Sequence, residues 1–132
     1  MRLTFEENGV SDNQMLTSLE ILEETLNRID PFSFPYVVLT NENEDYIQCA
    51  GSREEMAIEA RFYNNGTFKH FVLGRELMSK VWAKIECKVG PIDVLSHEVM
   101  DLNDAIILFK SFFLSGDIPQ NYNKRNITKQ FL

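Results

Sequence analysis

The chain has 132 residues, a length that suits one domain built around one core, spanning residues 1–132. An apolar fraction of 44% with 25% charged residues excludes a disordered chain, and ten Phe supply much of the core. The formal net charge of −7 argues against a nucleic-acid partner, because such proteins normally carry a basic surplus.

The charge is unevenly spread. Residues 1–59 hold thirteen acids against three basic residues, and residues 60–132 hold seven against ten. An acidic half attracts basic partners and speeds their arrival, although most acidic faces serve only solvation. The opening MRLTFEENGV lacks the apolar stretch of a signal peptide, and no run reaches the ~18 apolar residues of a membrane span. The expectation is a cytoplasmic protein without membrane association. Cys49 and Cys87 stand alone in apolar strand patterns, which in a reducing compartment means two buried thiols.

Residues 2–6 alternate and predict a short edge strand. A first helix is expected next. Ser11 and Gln14 have capping-box spacing, Val10 and Met15 occupy the staple positions, and Met15, Leu19, Leu22, Leu26 and Ile29 form one helical stripe. Asp30-Pro31 ends it, because the residue before proline avoids helical geometry. Strands follow at 34–39 and 46–50, separated by the polar turn 41–45.

Asn65-Gly66 is the preferred pair for a two-residue type I′ hairpin. That turn sets Asn64 opposite Thr67. It places Met56, Ile58, Ala60, Phe62, Phe71 and Leu73 on one face, and Glu59, Arg61, Tyr63, Phe68 and His70 on the other. A further strand is expected through 80–89, with another possible at 92–99. Asp101 is a good N-cap for a second helix, with Asp104 in its first turn and Gly116 at its end. The tail is expected to pack back through Ile127 and Phe131. The sum is an α+β two-layer sandwich: an antiparallel sheet of about four to six strands covered by two main helices.

Few chemical motifs are present. Cys49, His70, Cys87 and His97 lack the close pairing of a zinc site, so no metal is expected. The six glycines form no phosphate-binding pattern, so no cofactor is expected. A Cys49–His70 pair is conceivable across strands, but a Cys in an alternating apolar strand is more often a small core residue. Glu59, Arg61 and His70 share one hairpin face. They form either an acid–base cluster or, more simply, a half-solvated polar face with a cross-strand pair. Trp82, the sole tryptophan, falls among Lys80, Lys84 and Glu86, where it is either an exposed interface anchor or a residue buried by helix or tail residues. Glu42, Glu44 and Asp45, with Glu54 and Glu55 at the next turn, are the candidate acids for attracting a partner, on the expectation that both turns lie close together.

The segments Asp45-Tyr46-Ile47-Gln48-Cys49-Ala50-Gly51, Ile58-Glu59-Ala60-Arg61 and Lys69-His70-Phe71, the helix from Asp104-Ala105 to Phe112-Phe113 and the Ile118-Pro119 step are similar to small bacterial proteins encoded beside secreted toxins. The chain resembles immunity proteins of polymorphic-toxin and contact-dependent inhibition systems. The resemblance implies a non-enzymatic cytosolic protein that binds and neutralises one cognate toxin. Interfaces in such families diverge quickly, so no binding residue carries over. The leading expectation is an immunity-type protein whose acidic surface meets a basic toxin domain, a nuclease being one possibility. The alternatives are a small-ligand or enzymatic domain using Glu59, Arg61 and His70, and a homodimeric adaptor with Trp82 at its two-fold interface. Monomer and dimer both remain open.

Overall fold

The computed structural model describes residues 1–132. It is an α+β fold with a seven-stranded antiparallel sheet, a separate two-stranded hairpin and two α-helices. The sheet is formed by β1 (Arg2–Glu7), β2 (Val10–Met15), β3 (Tyr36–Thr40), β4 (Tyr46–Gly51), β5 (Met56–Asn64), β6 (Thr67–Gly74) and β9 (Asn123–Asn126), in the order β2-β1-β3-β4-β5-β6-β9. The hairpin is β7 (Trp82–Ile85) with β8 (Ile92–Leu95). No helix is long and apolar enough to cross a membrane.

The main departure from expectation is at the N-terminus. The segment read as the start of a helix is instead strand β2, paired along its whole length with β1. Asn8 and Gly9 both have positive φ, 49° and 86°, which is the type I′ signature. The Asn-Gly pair therefore decides the local structure, and the Ser11–Gln14 spacing is coincidental. The helix begins later, as α1 (Leu19–Asn27), capped by Ser18, whose hydroxyl accepts from the Ile21 amide at 3.2 Å. Leu22, Leu26 and Ile29 are buried as the stripe requires, while Met15 is exposed.

The Asn65-Gly66 hairpin forms in the expected register, with Asn64 opposite Thr67 and Arg61 opposite His70. Cross-strand alternation then sorts the whole sheet. Leu3, Leu39, Ile47, Ala60 and Phe71 fall in one row, and Phe5, Val37, Cys49 and Ile58 in another. These rows share one core with Leu22 and Leu26 of α1 and with Ala105, Leu108, Phe109 and Phe112 of α2 (Leu102–Ser115). Helix α2 starts at Asp101 through a capping box with Asp104 and ends at Gly116.

Two further expectations are corrected. The strand expected through 80–89 holds only over Trp82–Ile85 and does not join the main sheet. Beyond it the Lys88 amide donates to the Pro31 carbonyl at 2.8 Å and the Lys88 ammonium pairs with Glu6 at 2.5 Å, so this segment is tied to another part of the chain. The tail supplies an unforeseen strand, β9, which raises the main sheet above the expected four to six. The second sheet face is covered in part by the β7–β8 hairpin, where Ile85 and Val94 pack on Ala57 and Val72.

Candidate functional site

The polar face of the β5–β6 hairpin carries a hydrogen-bonded chain. Arg61 Nε donates to His70 Nδ1 at 3.0 Å, and His70 Nε2 lies 2.6 Å from Glu59 Oε1. With Nδ1 accepting from Arg61, Nε2 is the ring nitrogen that donates to the Glu59 carboxylate, and the two contacts fix the orientation of the ring. Its ring is 1% exposed, and Phe131 covers it with ring centroids 4.5 Å apart. The tail is pinned here by backbone bonds. The His70 amide donates to Thr128 Oγ1 at 2.9 Å, and the Ile127 amide donates to the His70 carbonyl at 2.9 Å. Arg61 lies over the rings of Phe68 at 4.1 Å and Phe131 at 4.5 Å.

This geometry limits the chemistry of the cluster. Both ring nitrogens of His70 are engaged, so the imidazole has no lone pair to offer a substrate. Glu59 and Arg61 are both half-buried, and of the two Glu59 is the one that opens into a cavity. It lines a cleft of about 360 Å³, and neither Arg61 nor His70 does. The cleft floor is the cross-strand row Glu59, Val72, Arg125. One wall is the β7–β8 hairpin, through Trp82 and Val94, and the other is the tail, through Ile127 and Phe131. Arg125 is already satisfied within the fold. Its Nε and Nη2 donate to the two carboxylate oxygens of Glu98 at 2.8 and 2.9 Å, and Glu98 is fully buried.

Comparison with protein-family models gives no match, and comparison with curated proteins gives none either.

Trp82 is 61% exposed, with the Arg125 guanidinium 5.4 Å from its ring centre. Leu77, Met78 and Val81, just before it in the chain, are exposed as well. The structure thus decides between the two readings of Trp82 in favour of exposure. It also sets Trp82 and Glu59 on the walls and floor of one cleft, a link the sequence does not show.

The acidic candidates do not converge. Glu42, Glu44 and Asp45 lie in the β3–β4 turn, whereas Glu54 and Glu55 lie in the β4–β5 turn, at the opposite end of β4. A six-residue strand separates them by roughly 20 Å. Asp45 is also not a surface acid. It is 9% exposed, and its carboxylate accepts from the Tyr63 amide at 2.7 Å and from the Asn41 and Asn43 side chains. Its role is to join the β3–β4 turn to β5. Glu42, Glu44, Glu54 and Glu55 are exposed, and Glu44 is 3.6 Å from Arg2.

The remaining candidates are dispersed. Cys49 is in the main core and its thiol is pushed up to about 12 by burial, while His70 faces the other side of the sheet. The two do not meet. Cys87 is buried elsewhere, and His97 accepts the Ser79 amide at Nδ1. No three His, Cys, Asp or Glu side chains are placed to share a metal ion. One structural cluster was not anticipated. Arg75 Nε and Nη2 donate to Asp104 Oδ2 at 3.1 and 2.7 Å, and the Tyr122 hydroxyl donates to Asp104 Oδ1 at 2.9 Å. The signal available in sequence was the Asp104 cap position alone.

Proposed function

We propose that this chain is an immunity-type protein that binds and neutralises a cognate toxin domain of basic character, without catalysing a reaction itself. The observation that carries the proposal is the exposed Trp82, flanked by Val81, Leu77 and Met78, on a chain of net charge −7. A solvent-facing tryptophan close in the chain to other exposed apolar side chains suits the role of an interface anchor. The resemblance of Asp45–Gly51, Ile58–Arg61 and the α2 segment to toxin-neutralising proteins gives the class of partner. In this reading Trp82 is the anchor, and Glu42, Glu44, Glu54 and Glu55 act at a distance by setting the sign of the surface field. Asp45 drops out of that set.

The test is co-expression with the toxin domain encoded beside the gene. Wild type is expected to restore growth. Trp82→Ala is expected to weaken the complex by about 2 kcal/mol, roughly 30-fold in affinity. Failure of the wild-type chain to protect would sink the proposal. A stable two-fold dimer closed by Trp82, seen as a doubled mass in gel filtration that Trp82→Ala abolishes, would replace it with the adaptor reading.

A further inference from the structure

The cleft between the β7–β8 hairpin and the tail has a chemistry of its own. Its lining combines apolar side chains, Val72 of the floor with Val94 and Ile127 of the walls, with the aromatic rings of Trp82 and Phe131. Its floor carries the Glu59 carboxylate, whose single hydrogen-bond partner is the imidazole of His70. The charge of Arg125 is balanced at the floor by the buried Glu98. At the rim Asp93 is paired with Lys84 at 2.7 Å. Arg61 lies beyond the imidazole and turns its guanidinium toward Phe68 and Phe131 rather than into the cleft. Within the cleft, Glu59 is the carboxylate that no Arg or Lys side chain bonds directly, its one hydrogen-bond partner being His70 while Arg125 acts on it through space.

We infer that this cleft receives an arginine side chain from the basic partner. The inference rests on the proposed function for the source of that arginine. An arginine presents an apolar stem, a planar cation that stacks on aromatic rings, and a fork of donors for a carboxylate. Each has a counterpart here: the apolar lining of Val72, Val94 and Ile127, the Trp82 and Phe131 rings, and Glu59. The molecule already uses the same chemistry twice on these rings, with Arg125 at Trp82 and Arg61 at Phe131. At about 360 Å³ the cleft reaches the lower end of the ~300–1,000 Å³ range of ligand pockets, ample for one side chain. The Glu59–His70 bond fixes the carboxylate in advance, which lowers the ordering cost of binding.

Trp82 is the only tryptophan, so its fluorescence reports on this end of the molecule, and the Glu59 and Phe131 variants assign a change to the cleft rather than to the hollow that Trp82 shares with Ala83 and Lys84. The experiment titrates the folded chain at low salt with N-acetyl-arginine amide, its neutral analogue N-acetyl-citrulline amide, and N-acetyl-lysine amide. A saturable change is expected with the arginine derivative, with binding at least about tenfold weaker for citrulline, as expected when a charged pair is lost. Glu59→Gln should lose about the same factor, whereas Asp93→Asn at the rim should change little. If Glu59→Gln does not fold, as read by circular dichroism, Phe131→Ala serves instead and should also weaken binding. Equal response to citrulline, tighter binding of lysine, or unchanged arginine binding in both cleft variants would each overturn the assignment. If arginine does not bind but co-expression still protects, only this inference falls. If arginine binds and co-expression does not protect, the immunity reading falls.

Discussion

At the scale of single residues, burial decides which groups are available. Asp45 and Glu59 are both acids with little exposure, yet one is spent on a turn and the other opens into a cleft. The Asp104 carboxyl is partly buried, which alone would raise its titration. The hydrogen bond from Arg75, the capping amide and the Tyr122 hydroxyl outweigh burial and hold it below the usual carboxylate range. Burial and the same contact push the Tyr122 hydroxyl up to about 12. A carboxyl depressed in the folded state stabilises the fold above its unfolded value, near 4, and that contribution disappears as pH falls through the lower folded value. Removing the Tyr122 hydroxyl is expected to cost about 1–2 kcal/mol at neutral pH. The Tyr122→Phe deficit should shrink in acid below about pH 4, which urea melts at pH 7 and pH 3 measure.

Two other residues give direct tests. Gly51 has φ +132°, and a Cβ there would lie 2.5 Å from the Glu55 carbonyl oxygen. Gly51→Ala is expected to cost more than about 2 kcal/mol, through backbone strain and a clash that no rotamer relieves. Denaturant midpoints check it, and a change within error would mean the β4–β5 turn is not built as described. Cys49 is fully buried with a raised thiol, so it should stay unlabelled by a thiol reagent at pH 8 until the protein is unfolded. Rapid labelling of Cys49 in the native protein would contradict the core placement.

At the scale of elements, two short signals compete over residues 8–29. The apolar stripe from Met15 to Ile29 favours a helix along that stretch, and the Asn8-Gly9 pair favours a hairpin that consumes residues up to Met15. The turn prevails because it fixes backbone geometry directly and lets β2 satisfy its amides against β1. The helix then starts where Ser18 can cap it. The consequence is a paired test of the two serines. Ser18→Ala should lower stability by about 1 kcal/mol through loss of the cap, while Ser11→Ala should fall within about 0.5 kcal/mol. Equal costs in thermal melts would restore the earlier helix start. The β5–β6 hairpin shows the opposite case. There turn chemistry and alternation agree, and the register of all the polar-face residues follows from Asn65-Gly66 alone.

At the scale of the whole molecule, charge and apolar exposure act over different ranges. The acidic turns sit at both ends of β4, so they do not form one contact patch. Under the proposed function they contribute instead to a field that favours the approach of a cation-rich surface. If the proposed toxin partner is right, reversing Glu42, Glu44, Glu54 and Glu55 to lysine should slow association with it by about tenfold at low salt and far less at physiological salt. Trp82→Ala should leave association nearly unchanged and speed dissociation. Stopped-flow measurements at two ionic strengths separate the two effects, and a salt-independent loss from the charge reversal would argue for direct contact.

The composition, the Asn65-Gly66 register, the Asp101 cap and the core stripe of Leu22, Leu26 and Ile29 were all determined by the sequence, because each depends on neighbours within a few residues or on a simple period. The position of β9 beside β6, the detachment of β7 from the main sheet, the burial of Asp45 and the meeting of Glu59 with Trp82 were decided only by tertiary structure. Each of these depends on which distant backbone groups remain unpaired once the local elements have formed, as when Lys88 bonds to Pro31 and Ile127 bonds to His70. Local periodicity holds no record of that competition, so the cleft was invisible in the chain although every residue lining it was in plain view.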